Sequence, residues 1–329
     1  MAPVRLAAAL GAALLLSIST ARPAGACSVC LAGDPLFSTH GTSAQQEGDF
    51  SLYVQGQGWR KESGVLPHGH EEEHEDEEGT ERSSSQRLDL FLAWTPVDRL
   101  TLTLDVPYAW NEIEETLGGM SDTQRLDGLG DVSLSGSFVL WRDRPALPAT
   151  WLEGRLFLKT PTGRTTRSTE GVVDPHLQTG TGSWDFGFGL AGVHRLTWGS
   201  LYTSVFYREN SEGGFGDLDY EYGDVVLWNA ALEVPVGHAL GRPGLAWLTA
   251  GAELNYRWAD FDRADGERYE HSGGSILYAT PLLRTRLPFG VRERPASLRL
   301  AVQLPLTSAW LNGRQEEKEV WSVGLLVPF

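Results

Sequence analysis

A chain of 329 residues with 38 glycines, 12 tryptophans and only two cysteines suits one large all-β domain better than several packed ones. Its 43 acidic against 27 basic residues leave a formal charge of −16, which argues against a nucleic-acid binder working by neutralising phosphates. No stretch after the amino terminus reaches the ~18 unbroken apolar residues a membrane helix requires, so any crossing of a bilayer must be made by strands.

The chain opens on an export address. Arg5 supplies a short positive region, Leu6 to Ser17 an apolar core too short to span, and Ala24-Gly25-Ala26 a small-residue cleavage site, so residues 1–26 are expected to be a cleaved signal peptide. The mature chain would begin at Cys27, with residues 27–48 as a periplasmic segment ahead of the first strand. A cysteine in that place raises lipid attachment, but Ala24 stands where a lipidation signal prefers leucine. Cys27 and Cys30 are the only cysteine pair, and an exported chain folds where thiols are oxidised, so a local disulfide is the first expectation. A two-ligand metal contact ranks second. Catalysis ranks last, because Leu31-Ala32-Gly33-Asp34-Pro35 does not resemble the helix that follows a redox cysteine pair.

Residues 49–329 read as strands of barrel length. Phe50, Leu52 and Val54 face one way while Ser51, Tyr53, Gln55 and Gln57 face the other. A polar loop follows, containing His68, His70, Glu72, His74 and Glu75 within a run of carboxylates. Three imidazoles among carboxylates offer nitrogen and oxygen ligands to zinc, copper or nickel, and Gly69 lets its neighbours turn toward one ion. The competing reading is a solvated acidic loop that repels neighbouring surfaces or bridges lipopolysaccharide through divalent ions. No cofactor beyond such a weakly held metal is expected.

Leu88, Leu90, Leu92 and Trp94 oppose Asp89, Phe91 and Ala93; after a tight turn, Leu100, Leu102, Leu104 and Val106 oppose Thr101, Thr103 and Asp105. The same alternation sets Leu152, Leu156 and Leu158 against Glu153, Arg155 and Lys159, and Phe186 and Phe188 against Asp185. It continues in Trp228 and Leu232 against Asn229 and Glu233, and in Leu254 and Tyr256 against Glu253 and Arg257. Charges at every second position suit a water-lined lumen rather than a two-sided apolar core. Short turns are expected near Asp98, Arg144, Gly199, Gly241 and Arg292, and long loops near Glu72, Leu117, Arg167, Gly214 and Asp265. Trp59, Trp94, Trp110, Trp141, Trp151, Trp198, Trp258 and Trp310 stand at strand ends, as an interfacial girdle requires.

Arg257, Arg284, Arg286 and Arg299 fall at inward positions of neighbouring late strands, with Asp89, Asp105, Glu233 and Glu253 inward elsewhere. Opposed charge sectors across a narrow passage would select and orient a solute. Inward ion pairs that fill and staple the barrel are the equal alternative. The final strand, Val320 to Phe329, alternates large apolar residues with Ser322, Gly324 and Pro328. Ending on Phe329, it is expected to close the barrel against the first strand and to engage the barrel-assembly machinery.

Three motifs carry a family resemblance: Gly128-Leu129-Gly130-Asp131 opening a strand, Leu158-Lys159-Thr160-Pro161-Thr162-Gly163 closing one, and Gly180-Thr181-Gly182-Ser183-Trp184-Asp185 with the strand that follows. Together they resemble outer-membrane proteins of the MetA-pathway of phenol degradation family, over most of the barrel. The resemblance implies a transporter-like outer-membrane protein and carries no catalytic residue. The cysteine pair and the acidic first loop depart from it.

The expected fold is therefore all-β: a single antiparallel up-and-down transmembrane barrel of about 12 strands, with long extracellular loops and short periplasmic turns. The expected function is passive passage of a small solute, an aromatic compound or a metal ion, through the outer membrane of a Gram-negative bacterium, amid lipid and lipopolysaccharide. A closed surface barrel with a metal-binding loop is the alternative. An enzyme would need a serine near His194, His238 or His271, and none of these stands in a nucleophile motif.

Overall fold

The computed structural model describes residues 47–64, 80–117, 120–165, 175–215, 218–270, 272–291, 294–307 and 316–329. The expected signal peptide (residues 1–26), Cys27, Cys30, the loop carrying His68, His70, Glu72, His74 and Glu75, and Trp310 lie outside the described residues.

The strands follow the alternation. They are β1 (Phe50–Gly64), β2 (Thr80–Val97), β3 (Leu100–Leu117), β4 (Met120–Leu129), β5 (Ser133–Arg142), β6 (Thr150–Lys159), β7 (Asp185–Arg195), β8 (Ser200–Glu209), β9 (Glu212–Phe215) and β10 (Leu218–Glu221). Then come β11 (Val225–Pro235), β12 (Leu248–Ala259), β13 (Arg263–Ala264), β14 (Glu267–Arg268), β15 (Gly274–Val291), β16 (Arg294–Thr307), β17 (Glu316–Glu317) and β18 (Val320–Pro328). Among the described residues, no helix is long and apolar enough to cross a membrane.

Every pairing is between antiparallel neighbours, and β1 pairs with both β2 and β18, so the sheet closes on itself. Ser51 stands opposite Ala93 on one side and Pro328 on the other, and the Phe329 N–H donates to the Phe50 carbonyl at 2.7 Å. β4 continues the line of β5 along β3, and β17 caps β1, which leaves a closed barrel of twelve antiparallel staves. Closure pairs both edges of every stave, the condition lipid imposes on backbone N–H and C=O groups.

The two faces are inverted relative to a water-soluble protein. Leu88, Leu92, Phe186, Phe188, Trp321 and Val323 are exposed on the outside, whereas Asp89, Asp105, Glu153, Asp185, Glu233 and Glu253 are buried inside. A contiguous apolar exterior of this kind is at home in hydrocarbon, and a charged interior needs partners or water.

Two expectations change. Trp59 and Trp151 do not join the girdle but point inward and are buried. Trp151 donates its indole N–H to Glu153 Oε1 at 2.8 Å, under the Arg195 guanidinium. Near Leu117 there is no long loop: β3 and β4 stay paired to Leu117 opposite Met120 and project beyond β5 as a hairpin. Strands that leave the bilayer need no apolar face, so the polar run of Glu112, Glu114 and Asp122 reads as loop but folds as ladder.

At the short-turn end, Arg142 forms a fork on Asp98, with bonds of 3.1 and 2.7 Å joining two turns and holding the Asp98 carboxyl below its ordinary range. At the long-loop end, β14, β13, β10 and β9 form a separate four-stranded sheet around Phe215, Tyr220 and Tyr222. Its keystone is Asp262. The carboxylate accepts from Tyr220 Oη (2.7 Å) and the Gly223 N–H (2.8 Å), and the Asp262 N–H donates to Ser272 Oγ (2.7 Å).

Burial raises the Asp262 carboxyl above the ordinary carboxylate range; His176, the bonds from Tyr220 and Gly223, and Lys61 oppose the shift without cancelling it. A raised acid is bound more tightly by a proton in the folded cap than in the open one. Its contribution is therefore fully present below the ordinary carboxylate pKa and is lost as pH rises through the raised value. Amide exchange at Gly223, corrected for its intrinsic rate, is expected to lose protection as pH rises above the ordinary carboxylate range in the native chain and to stay flat in Asp262→Asn. Equal slopes in the two proteins would remove Asp262 as the titrating group.

Candidate functional site

The three motifs of the sequence meet at one place in the wall, through contacts from Asp131 to residues 32 and 50 positions further on. β4 ends at Leu129 and β5 begins at Ser133, and in the gap Asp131 turns inward. Its Oδ1 accepts the Gly163 N–H at 2.8 Å; its Oδ2 accepts the Thr181 N–H and hydroxyl, both at 2.8 Å. Lys159 lies 3.4 Å from Asp131 Oδ2 and pairs closely with Asp185, which also accepts the Ser183 hydroxyl at 2.7 Å. A carboxylate holding two backbone N–H groups and an ammonium is a strong anchor in a low-dielectric wall.

The anchor requires glycine twice. A Cβ on Gly163 would come within 2.5 Å of Gly180 Cα, and a Cβ on Gly180 within 2.5 Å of the Gly163 carbonyl carbon, so the chain cross here admits no side chain.

What the anchor holds is the segment 175–184, drawn against the upper barrel. Asn111 donates its amide to the Leu177 and Gln178 carbonyls (3.1 and 3.0 Å), Thr179 Oγ1 donates to the Leu129 carbonyl (2.9 Å), and Leu177 packs with Ile113 and Leu126. Tyr222 donates its hydroxyl to the Pro175 carbonyl at 2.8 Å, and His176 meets Tyr220 and Tyr222 edge-on, which joins the segment to the cap sheet. Among the described residues β4 pairs with β3 alone, and Thr179 of this segment bonds at the end of its other edge. Beneath lies a cavity of about 100 Å³, lined in part by Trp59, Arg87, Phe157, Lys159, His176 and Arg208.

Lower down, inward charges lie beside one another along the wall. Arg284 pairs with Glu233, Arg299 Nη2 lies 2.8 Å from Glu253 Oε1, and Arg257 Nη2 lies 2.6 Å from Glu317 Oε1. Each of the first two pairs reaches across an intervening stave: β12 between Glu233 and Arg284, and β15 between Glu253 and Arg299. Gly251, opposite Glu233, leaves the room, since a Cβ there would stand 3.0 Å from Glu233 Cγ. On the opposite wall Arg87 pairs with Asp89 and, at 3.3 Å, with Asp105, and Asp89 also accepts from Gln57 Nε2 at 3.2 Å. Arg286 is exposed at the short-turn end. Glu317 and Asp131, which complete the network, were not singled out by alternation, because one sits on a two-residue strand and the other in a strand break.

No group of three or more His, Cys, Asp or Glu residues able to hold a metal occurs among the described residues. His194 is exposed and bonded to Thr150 Oγ1 at 2.7 Å, His238 is exposed, and His271 lies outside the described residues. Ser272 is engaged in the cap, donating to the Tyr269 carbonyl at 2.6 Å.

An apolar outer belt, a charged interior and a pinned inward segment define a transmembrane barrel of the outer-membrane type. Among solved structures the chain is similar to the COG4313 outer membrane channel from Pseudomonas putida F1, with a TM-score of 0.65 at 15% identity over 89% of this chain and 99% of that one. Lower likeness is found to the P. putida toluene transporter TodX, with a TM-score of 0.42 at 11% identity over 87% of this chain and 91% of that one. The beta domain of the Bordetella autotransporter BrkA gives 0.41 at 10% identity over 85% and 99%. No family model matches the chain, and no curated protein does.

Proposed function

We propose that this protein is an outer-membrane channel for the passive passage of a small solute, constricted from the long-loop end by the segment 175–184. The observation that carries the reading is the anchor at Asp131: a barrel serving only as a surface fixture has no need to pin a loop over a polar cavity. The likeness to the P. putida outer membrane channel supports it through the fold. The three motifs that resemble the MetA-pathway of phenol degradation family are the residues of the anchor itself, which supports membership of that group and a small organic solute. The reading places the chain in the outer membrane of a Gram-negative bacterium. It adds export by the cleaved segment 1–26, assembly through the strand ending at Phe329, and contact with lipopolysaccharide.

Refolded protein in a planar bilayer is expected to give small, discrete current steps. The same recording with Zn²⁺ or Cu²⁺, on the native chain and on a variant with His68, His70 and His74 replaced by alanine, tests the first loop as a weak metal trap. A metal effect lost in the variant supports it. Silence from protein shown to be folded would overturn the channel and favour a closed barrel.

A further inference from the structure

Among the described residues, most buried cations of the lumen stand beside a carboxylate. Arg87 is held by Asp89 and Asp105, Lys159 by Asp131 and Asp185, and Arg155, Arg257 and Arg299 by Glu153, Glu317 and Glu253. Arg208, on the inward face of β8 opposite Gly187, is 6% exposed and makes no ion pair among the described residues. Its Nε has no hydrogen-bond partner, and the side chain lines the cavity under the segment 175–184. A guanidinium taken out of water without a counter-charge is costly, and a wall that pairs most of its charges leaves this one facing a cavity.

We propose that this cavity is a binding site for a small monovalent carboxylate, with the Arg208 fork as its anchor. Four features set the class of ligand. The guanidinium presents parallel N–H donors that match the two oxygens of a carboxylate. The volume of about 100 Å³ is below the ~150 Å³ that accepts a benzene ring, so the ligand is acetate-sized rather than aromatic. Asp105 and Asp131 share the lining, and their charge disfavours a doubly charged oxyanion such as phosphate. Trp59 and Phe157 provide an apolar wall for the alkyl end. The inference rests on the channel reading for its biological sense, since it names the solute class at the constriction, but the site can be tested whether or not current flows.

The test is calorimetric titration of the full-length folded protein in detergent with sodium acetate, acetamide and sodium phosphate at constant ionic strength, beside Arg208→Met and Arg208→Lys. Acetate is expected to bind the native protein, and acetamide and phosphate at least tenfold more weakly. Arg208→Met is expected to lose acetate binding while its thermal midpoint without acetate stays level or rises, because an unpaired buried charge has been removed. Arg208→Lys should keep charge but lose the fork, and bind acetate at least several-fold more weakly. Equal binding of acetate and acetamide, phosphate binding as tight as acetate, or unchanged binding in Arg208→Met overturns the proposal. Acetate binding in a protein silent in the bilayer sinks the channel and leaves the site; current without acetate binding does the reverse.

Discussion

Asp131→Ala is expected to raise single-channel conductance several-fold and to lower the stability of the barrel by about 3 kcal/mol. The substitution strips acceptors from two backbone N–H groups, those of Gly163 and Thr181, and removes one of the two carboxylates around Lys159. Each unpaired buried donor costs about 1–3 kcal/mol, but Lys159 keeps Asp185, which limits the loss. With the anchor gone, the segment 175–184 keeps the bonds of Asn111, Thr179 and Tyr222, of the Gly180 N–H to the Arg164 carbonyl and of Ser211 to the Trp184 carbonyl, but loses its hold at the centre, and it is expected to open on the timescale of loop motion. Asp131→Asn keeps an acceptor and gives up the charge, so its loss should be near 1 kcal/mol with little change in current. Urea titration of folded barrel reads the stability, and planar-bilayer recording reads the current. Lost amide protection at Gly163 and Thr181 with unchanged conductance would show that the pinned segment does not set the constriction.

The barrel was legible because its signal has a period of two. Leu88 to Trp94 and Asp89 to Ala93 declare their faces without reference to any other strand, and the pairing register preserves those faces all the way round. Trp59 and Trp151 show the same signal overlooked: Trp59 shares parity with Gln55 and Gln57, and Trp151 with Glu153, and that parity placed them inside although both stand near strand ends. The partners of the charges were not legible. Glu233 reaches Arg284 over Gly251, a contact that depends on the register of three staves at once. The anchor lay further still from a linear reading. Its parts were visible as three glycine-rich motifs, but only the fold brings Gly163 against Gly180 and turns Asp131 between them.

The pair Glu253–Arg299 decides whether the inward charges staple the barrel or sort its solutes. Both side chains are buried, and Glu253 Oε2 also accepts from Asn255 Nδ2 at 3.3 Å. Glu253→Leu leaves a guanidinium in the wall without its counter-charge, and Arg299→Met leaves a carboxylate in the same state; each is expected to lose about 3–5 kcal/mol. The double variant, apolar on both sides, is expected to recover most of that loss, because the unpaired charge rather than the missing bond dominates the single-site cost. Reversal potentials in a salt gradient carry the other half of the question. Removing the carboxylate alone should shift selectivity toward anions, and removing the guanidinium alone toward cations. A double variant that regains stability and native selectivity marks the pair as a staple whose fields cancel at the solute. One that regains stability but loses selectivity marks it as part of the sorting surface, since a neutral pair with a fixed dipole still orients what passes it.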